Sequence, residues 1–275
     1  MGIDFDGKLL LVGAGNLGGA LLRGWLASGM EPGKIVVQDP TPPDHIVDLM
    51  KTHGVRCVEM AGNQSAADFS VVVLSVKPQI MDVVLPGVRP YVRPSTVFLS
   101  VAAGKTTGYF ETGLGGGCSI VRTIPNTPAA VGRGITAAFA NSYVTSAQKR
   151  QCDFLLHAIG EVVWVEDEGL IDVATGVSGS GPAYVFYLTE CLAQAGVSAG
   201  LPHDVALKLA RATVSGAGEL MHQSPLDPGK LRENVTSPNG TTAAALEVLR
   251  DSGDMAELMT RAVAAAANRS RELAK

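Results

Sequence analysis

The sequence predicts an α/β protein of two domains: a doubly wound N-terminal domain over residues 1–166, then an all-α domain over residues 167–275. Three observations carry this. Short runs of Val, Leu and Ile alternate with helical periodicity as far as Val165, the pattern of a parallel sheet covered on both faces. A glycine-punctuated turn joins the first apolar run to the first helical pattern. From Gly169 onward helical periodicity continues with almost no β-branched run. At 275 residues, a ratio of roughly one domain per 150 residues suggests two domains.

The elements follow in order. Residues 8–12 (Lys-Leu-Leu-Leu-Val) form a short apolar run ended by Gly13, which reads as a central strand. Leu17, Leu21, Leu22 and Trp25 then share one face of a helix that ends at Gly29. Strands are predicted at 34–38, 55–58, 71–76 and 96–101, with a helix between the last two. Residues 119–122, 135–139 and 162–165 extend the sheet. In the second domain, Ser180-Gly181-Pro182 reads as a cap with proline in the first turn of a helix running to about Ala195. Another helix spans about 202–222, residues 224–239 are rich in turn signals, and two helices follow near 242–250 and 254–273.

Composition excludes several function classes. A net charge of −4 without a basic stripe argues against a nucleic-acid partner. No run of about 18 apolar residues spans a membrane. The acidic start, Met1 to Asp6, lacks the pattern of a signal peptide, so a cytoplasmic location is expected. Cys57, Cys118, Cys152 and Cys191 are scattered without a CxxC pair and read as buried, reduced thiols. The five histidines form no ligand spacing, and no metal site is expected. Apolar residues make up 46% of the chain and charged ones 17%, which leaves apolar surface for a partner subunit.

The turn Gly13-Ala14-Gly15-Asn16-Leu17-Gly18 is a GxGxxG sequence between a predicted strand and a predicted helix. In that context Gly13 permits the tight turn, Gly15 lets a pyrophosphate approach the backbone, and Gly18 allows close helix–strand packing. The helix start offers N–H groups and positive dipole to the phosphates. The reading is therefore a Rossmann domain that binds NADPH or NADH. Asp39, at the end of the second strand, stands where such domains read the adenine ribose, but an Asp beside Pro40 is equally a loop cap. Ser75-Val76-Lys77-Pro78 ends its strand at the carboxyl edge, where Pro78 biases Lys77 toward an extended backbone at the cofactor crevice. Ala102-Ala103-Gly104 ends the next strand with small residues that leave room for the nicotinamide. In the second domain, residues 234–242 (Asn-Val-Thr-Ser-Pro-Asn-Gly-Thr-Thr) lead a hydroxyl-rich turn into a helix. The N–H groups of Gly240, Thr241 and Thr242 suit a carboxylate, although the same residues also make an ordinary helix cap.

These motifs, with Arg122 to Pro128 and Ser178 to Tyr184, resemble the pyrroline-5-carboxylate reductase family over nearly the whole chain. The resemblance implies NAD(P)H-dependent reduction of 1-pyrroline-5-carboxylate to L-proline, the last step of proline biosynthesis. It implies that Thr242 hydrogen-bonds the substrate ring nitrogen, that Ser237, Gly240, Thr241 and Thr242 hold the carboxylate, and that Glu168 lies near the substrate. It also implies that Asn63, Ser75 to Pro78, and Val101, Ala102 and Ala103 line the cofactor site. The second domain then serves dimerisation and substrate binding, in a homodimer open to assembly into a larger homo-oligomer. One departure is Asn239, where the family usually has Gly; Asn is among the residues that best tolerate a left-handed backbone. The β-hydroxyacid dehydrogenases share the two-domain plan, but their catalytic Lys is missing from residues 183–187 here. A nucleotide-binding protein without turnover has no need of the hydroxyl-rich loop.

Overall fold

The computed structural model describes residues 5, 7–59, 69–250 and 254–274. Its first part is a sheet of eight strands: β1 (Lys8–Val12), β2 (Ile35–Gln38), β3 (Arg56–Val58), β4 (Phe69–Leu74), β5 (Val97–Ser100), β6 (Ser119–Ile124), β7 (Gly134–Ala140) and β8 (Gly160–Trp164). The order across the sheet is β3-β2-β1-β4-β5-β6-β7-β8, and every pairing is parallel except β6 with β7. The first six strands thus follow the doubly wound order, which reverses direction between β1 and β4.

Period-two alternation explains the two layers of core. Leu9 and Leu11 point to one face and Leu10 and Val12 to the other, all fully or nearly fully buried. The first face is covered by α1 (Asn16–Ala27), α2 (Asp44–His53) and α5 (Ser146–His157), with Trp25 inside and its Nε1 donating to the Leu155 carbonyl at 2.8 Å. The second face is covered by α3 (Met81–Val88) and α4 (Thr107–Leu114) through Leu85, Phe110 and Leu114. The α5 helix opens with a capping box, Thr145 with Gln148, which stops its first turn from fraying.

The chain divides into two compact units, residues 1–179 with 266–275, and residues 180–265. Residues 167–179, assigned by sequence to the helical domain, therefore pack with the sheet. The reason is local: α6 (Gly169–Ala174) buries Ile171 against Ile124 and Ala137, and then winds into a π-helical turn, Thr175–Gly179.

The second unit is helical: α7 (Gly181–Ser198), α8 (His203–Gln223), α9 (Pro228–Asn234), α10 (Thr241–Arg250) and most of α11 (Asp254–Leu273). Ser180 precedes α7 but makes no capping bond, because it is itself α-helical in backbone and continues from the π turn. The α9 helix stands inside the segment read as turns, where Asp227 caps it by accepting from the Lys230 N–H. No residue of α7 is buried, and Phe186 and Tyr187 are 62% and 67% exposed. All four cysteines are free, but Cys57 and Cys191 are exposed, so only Cys118 and Cys152 are the buried thiols expected. Burial pushes the Cys152 thiol far above its ordinary range. Among the described residues no helix is long and apolar enough to cross a membrane.

Candidate functional site

The glycine turn sits at the carboxyl edge of β1, where the strand order reverses. Gly13 has φ +90°, and a Cβ there would stand 2.6 Å from the Ser75 carbonyl oxygen. A Cβ on Gly18 would collide with the Gly13 carbonyl oxygen. Only glycine allows both approaches. At Gly15 the space is open instead. Gly15 precedes α1 without a side-chain cap, and the first helical bond runs from the Gly19 N–H to the Gly15 carbonyl at 2.7 Å. The N–H groups of Asn16, Leu17 and Gly18 therefore have no partner within the helix. An uncapped helix start beside open space, with Ala14 in the preceding turn, fits a pyrophosphate.

The neighbouring edges close around this turn. The Ser75 N–H donates to the Val12 carbonyl at 2.8 Å, and its buried Oγ has no hydrogen-bond partner among the described residues. That oxygen lies 3.0 Å from where a Gly18 Cβ would be. Lys77 is exposed and extended before the 3₁₀ turn Pro78–Ile80, as its proline requires, and Val76 packs beside Gly13. Val101 and Ala102 are buried, each in a different face of the core, so what they offer the crevice is backbone; Ala103 is exposed. Asp39 accepts from the Ala14 N–H through Oδ2 at 2.7 Å and from the Thr41 N–H through Oδ1 at 2.9 Å. The structure thus brings Gly13 to Gly18, Asp39, Ser75 to Pro78 and Val101 to Ala103 to one edge. Asn63 lies outside the described residues. Nearby, Lys105 Nζ sits 4.1 Å from the centre of the Tyr109 ring, and burial together with the Asp82 carboxylate pushes the Tyr109 phenol up to about 12.

Glu168 belongs to the sheet unit and accepts three hydrogen bonds there. Its Oε1 accepts from the Thr107 N–H at 2.8 Å and from Arg122 at 3.1 Å, and its Oε2 accepts from the Thr107 hydroxyl at 2.8 Å. Arg122 also reaches Asp172 Oδ1 at 3.1 Å, which takes a further bond from the Ser270 hydroxyl at 2.6 Å. This network ties β6, the start of α4, α6 and the end of α11 together. Its geometry makes Glu168 a brace for the β5–α4 turn and leaves one lone pair of Oε2 open on a side chain that is 25% exposed. Sequence reasoning missed Arg122 in this role, although an arginine inside the apolar run of residues 119–124 was a signal for a buried partner. It also missed Asn126, which donates to the Ser178 carbonyl at 3.2 Å and accepts from the Ile135 N–H at 3.0 Å, joining the β6–β7 loop to the π turn.

In the helical unit, Ser237 to Gly240 form a tight turn closed by the Gly240 N–H on the Ser237 carbonyl at 3.0 Å. Asn239 has φ +59°, the sole non-glycine residue with positive φ among those described, so asparagine does here what glycine usually does. The bond to Ser237 occupies the Gly240 N–H, which sequence reasoning left available. The first α10 bond runs from Ala244 to Gly240, so Thr241, Thr242 and Ala243 present N–H groups without helical partners. Among the described residues the hydroxyls of Ser237, Thr241 and Thr242 have no hydrogen-bond partner, and Thr242 is half-buried.

The chain resembles a pyrroline-5-carboxylate reductase from Pseudomonas aeruginosa at 38% identity over 268 residues, covering 98% of this chain and 97% of the relative. The chain belongs to the pyrroline-5-carboxylate reductase family. The model for pyrroline-5-carboxylate reductase dimerisation matches residues 168–273, and the one for NADP oxidoreductase, coenzyme F420-dependent, matches residues 8–104. Among solved structures, the pyrroline-5-carboxylate reductase of Coxiella burnetii superposes with a TM-score of 0.90 at 35% identity, covering 98% of this chain and 99% of that one. The Plasmodium falciparum pyrroline carboxylate reductase, solved with NADP bound, gives 0.79 at 28% identity, covering 98% and 99%. The family likeness runs through both units, since the matched ranges take in the glycine turn of the first and the hydroxyl-rich loop of the second.

Proposed function

We propose that the protein reduces 1-pyrroline-5-carboxylate to L-proline with NAD(P)H. The observation that carries this reading is the chain-long likeness to a reductase of that substrate, 98% of this chain at 38% identity. When bound, NAD(P)H supplies the hydride that the imine carbon gains. In this reading the Asn16, Leu17 and Gly18 N–H groups hold the pyrophosphate, with the Ser75–Pro78 turn, the Val101–Ala103 backbone and Asn63 beside it.

The N–H groups of Thr241 and Thr242, with the Ser237 hydroxyl and the Gly240 turn, hold the substrate carboxylate. The Thr242 hydroxyl hydrogen-bonds the ring nitrogen, which ends as an amine after taking a proton. A protonated imine is already electrophilic, so position and electrostatics suffice without a strong side-chain acid. Glu168 lies near the substrate and also holds Thr107, and so the turn that follows β5.

The exposed Phe186 and Tyr187 of α7, within the segment that the dimerisation model matches, support a homodimer that is open to assembly into a larger homo-oligomer. We assign the enzyme to the cytoplasm, where reduced nicotinamide cofactor is regenerated, with no membrane or nucleic-acid partner. The test is loss of absorbance at 340 nm on mixing purified protein, NADH or NADPH and pyrroline-5-carboxylate. Folded protein that binds the dinucleotide yet shows no substrate-dependent oxidation overturns the reading.

A further inference from the structure

Asp39 is held more firmly than a loop residue needs to be. Its two carboxylate oxygens take the Ala14 N–H at 2.7 Å and the Thr41 N–H at 2.9 Å, and its own N–H donates to the Val58 carbonyl at 3.2 Å. The carboxylate is thereby fixed against the glycine turn, at the edge where a dinucleotide's adenine ribose would lie. Each oxygen keeps a second lone pair, so the group can still accept two hydroxyl protons, and it has none to donate to a phosphate.

Its surroundings point the same way. Residues 38–44 read Gln-Asp-Pro-Thr-Pro-Pro-Asp, with two carboxylates and neither Lys nor Arg. Pro40, Pro42 and Pro43 remove three N–H donors that a phosphate would use. The start of α2 is unfavourable to an anion too, because Asp44 opens the helix with a negative charge and the Ile46 N–H is taken by the Pro43 carbonyl. Arg56 stands at the opposite end of β3, paired in register with Val36, and Glu59 follows that strand at the near end. Arg23 and His45 line a cleft with Asn16 and Asn126 that Asp39 does not line.

We propose that Asp39 makes this protein prefer NADH, by accepting the adenine ribose hydroxyls and repelling the 2′-phosphate of NADPH. The inference rests on the reading of this edge as the dinucleotide site. A second negative charge a few ångströms from a fixed, partly buried carboxylate is enough for discrimination of about tenfold or more.

The test is calorimetric titration of the full-length protein with NADH, NADPH, 5′-AMP and 2′,5′-ADP. The expected result is an NADH Kd at least about tenfold below that of NADPH, with 5′-AMP favoured over 2′,5′-ADP, which localises the effect to the ribose. Asp39→Asn keeps an oxygen acceptor for the turn and removes the charge, so it should narrow the ratio mainly by tightening NADPH. NADPH binding as tightly as NADH in the parent overturns the proposal, as does an unchanged ratio in a normally melting Asp39→Asn. If Asp39→Asn fails to fold, the parent's two ligand pairs still decide. Binding of neither dinucleotide would overturn the site itself, an outcome distinct from binding with the opposite preference.

Discussion

Replacing Arg122 by Met tests the buried network at its centre. The Arg122 side chain is 3% exposed, that of Asp172 9% and that of Glu168 25%. Without the guanidinium, Asp172 keeps only the Ser270 hydroxyl and Glu168 keeps only Thr107. Breaking a buried pair by removing one partner costs about 3–5 kcal/mol, because a charge is left desolvated. Glu168 regains water through its exposed quarter, so the lower end applies, about 3 kcal/mol. At about 2–4 °C per kcal/mol for a chain of roughly this size, Tm should fall by about 6–12 °C. The assay is a thermal melt by circular dichroism at one fixed protein concentration, because association itself adds stability. Adding Asp172→Leu should recover part of the loss, since an apolar pair replaces the stranded charge. A decrease in Tm below about 2 °C would refute the reasoning, as the network would then be worth no more than a surface pair.

Gly18→Ala should weaken dinucleotide binding by about tenfold or more, because the new Cβ drives α1 off the Gly13 carbonyl that shapes the turn; an unchanged Kd counts against the geometry. Thr242→Ala should leave the melt nearly unchanged, since its hydroxyl has no partner among the described residues. It should lower kcat/KM by about 5- to 150-fold, the worth of one buried hydrogen bond. Thr242→Ser should retain most activity, and steady-state kinetics within about twofold of the parent for Thr242→Ala would make the residue a helix-start residue only. Phe186→Asp should shift sedimentation of the dimer or larger assembly toward monomer at micromolar concentration, because it places a charge on the apolar face of α7; an undisturbed assembly would place the interface elsewhere.

Local signals were legible wherever neighbours in the chain record them. The run from Lys8 to Val12, the helical stripe of Leu17, Leu21, Leu22 and Trp25, and the turn from Gly13 to Gly18 all sit where periodicity and glycine chemistry put them. Asn239 carries its left-handed backbone as its chemistry allows. The α9 helix was obscured because Pro228 and Gly229 read as a turn, although Pro at a helix start with Asp227 as cap fits equally well. The antiparallel pairing of β7 had no local mark either, since either direction satisfies the same apolar alternation.

What only the tertiary structure decided are the partnerships between distant groups. Asp39 could read as ribose ligand or loop cap, and the fold made it a brace for Ala14, 25 residues earlier, without using up its acceptors. Glu168 gave no local sign of its partners, and the fold set it against Arg122 and Thr107, 46 and 61 residues away. Asp172 meets Ser270 across 98 residues. No periodicity encodes such pairs. They arise because a polar group carried into the interior by its apolar neighbours must find a partner there, and which partner is within reach is fixed by how the elements pack.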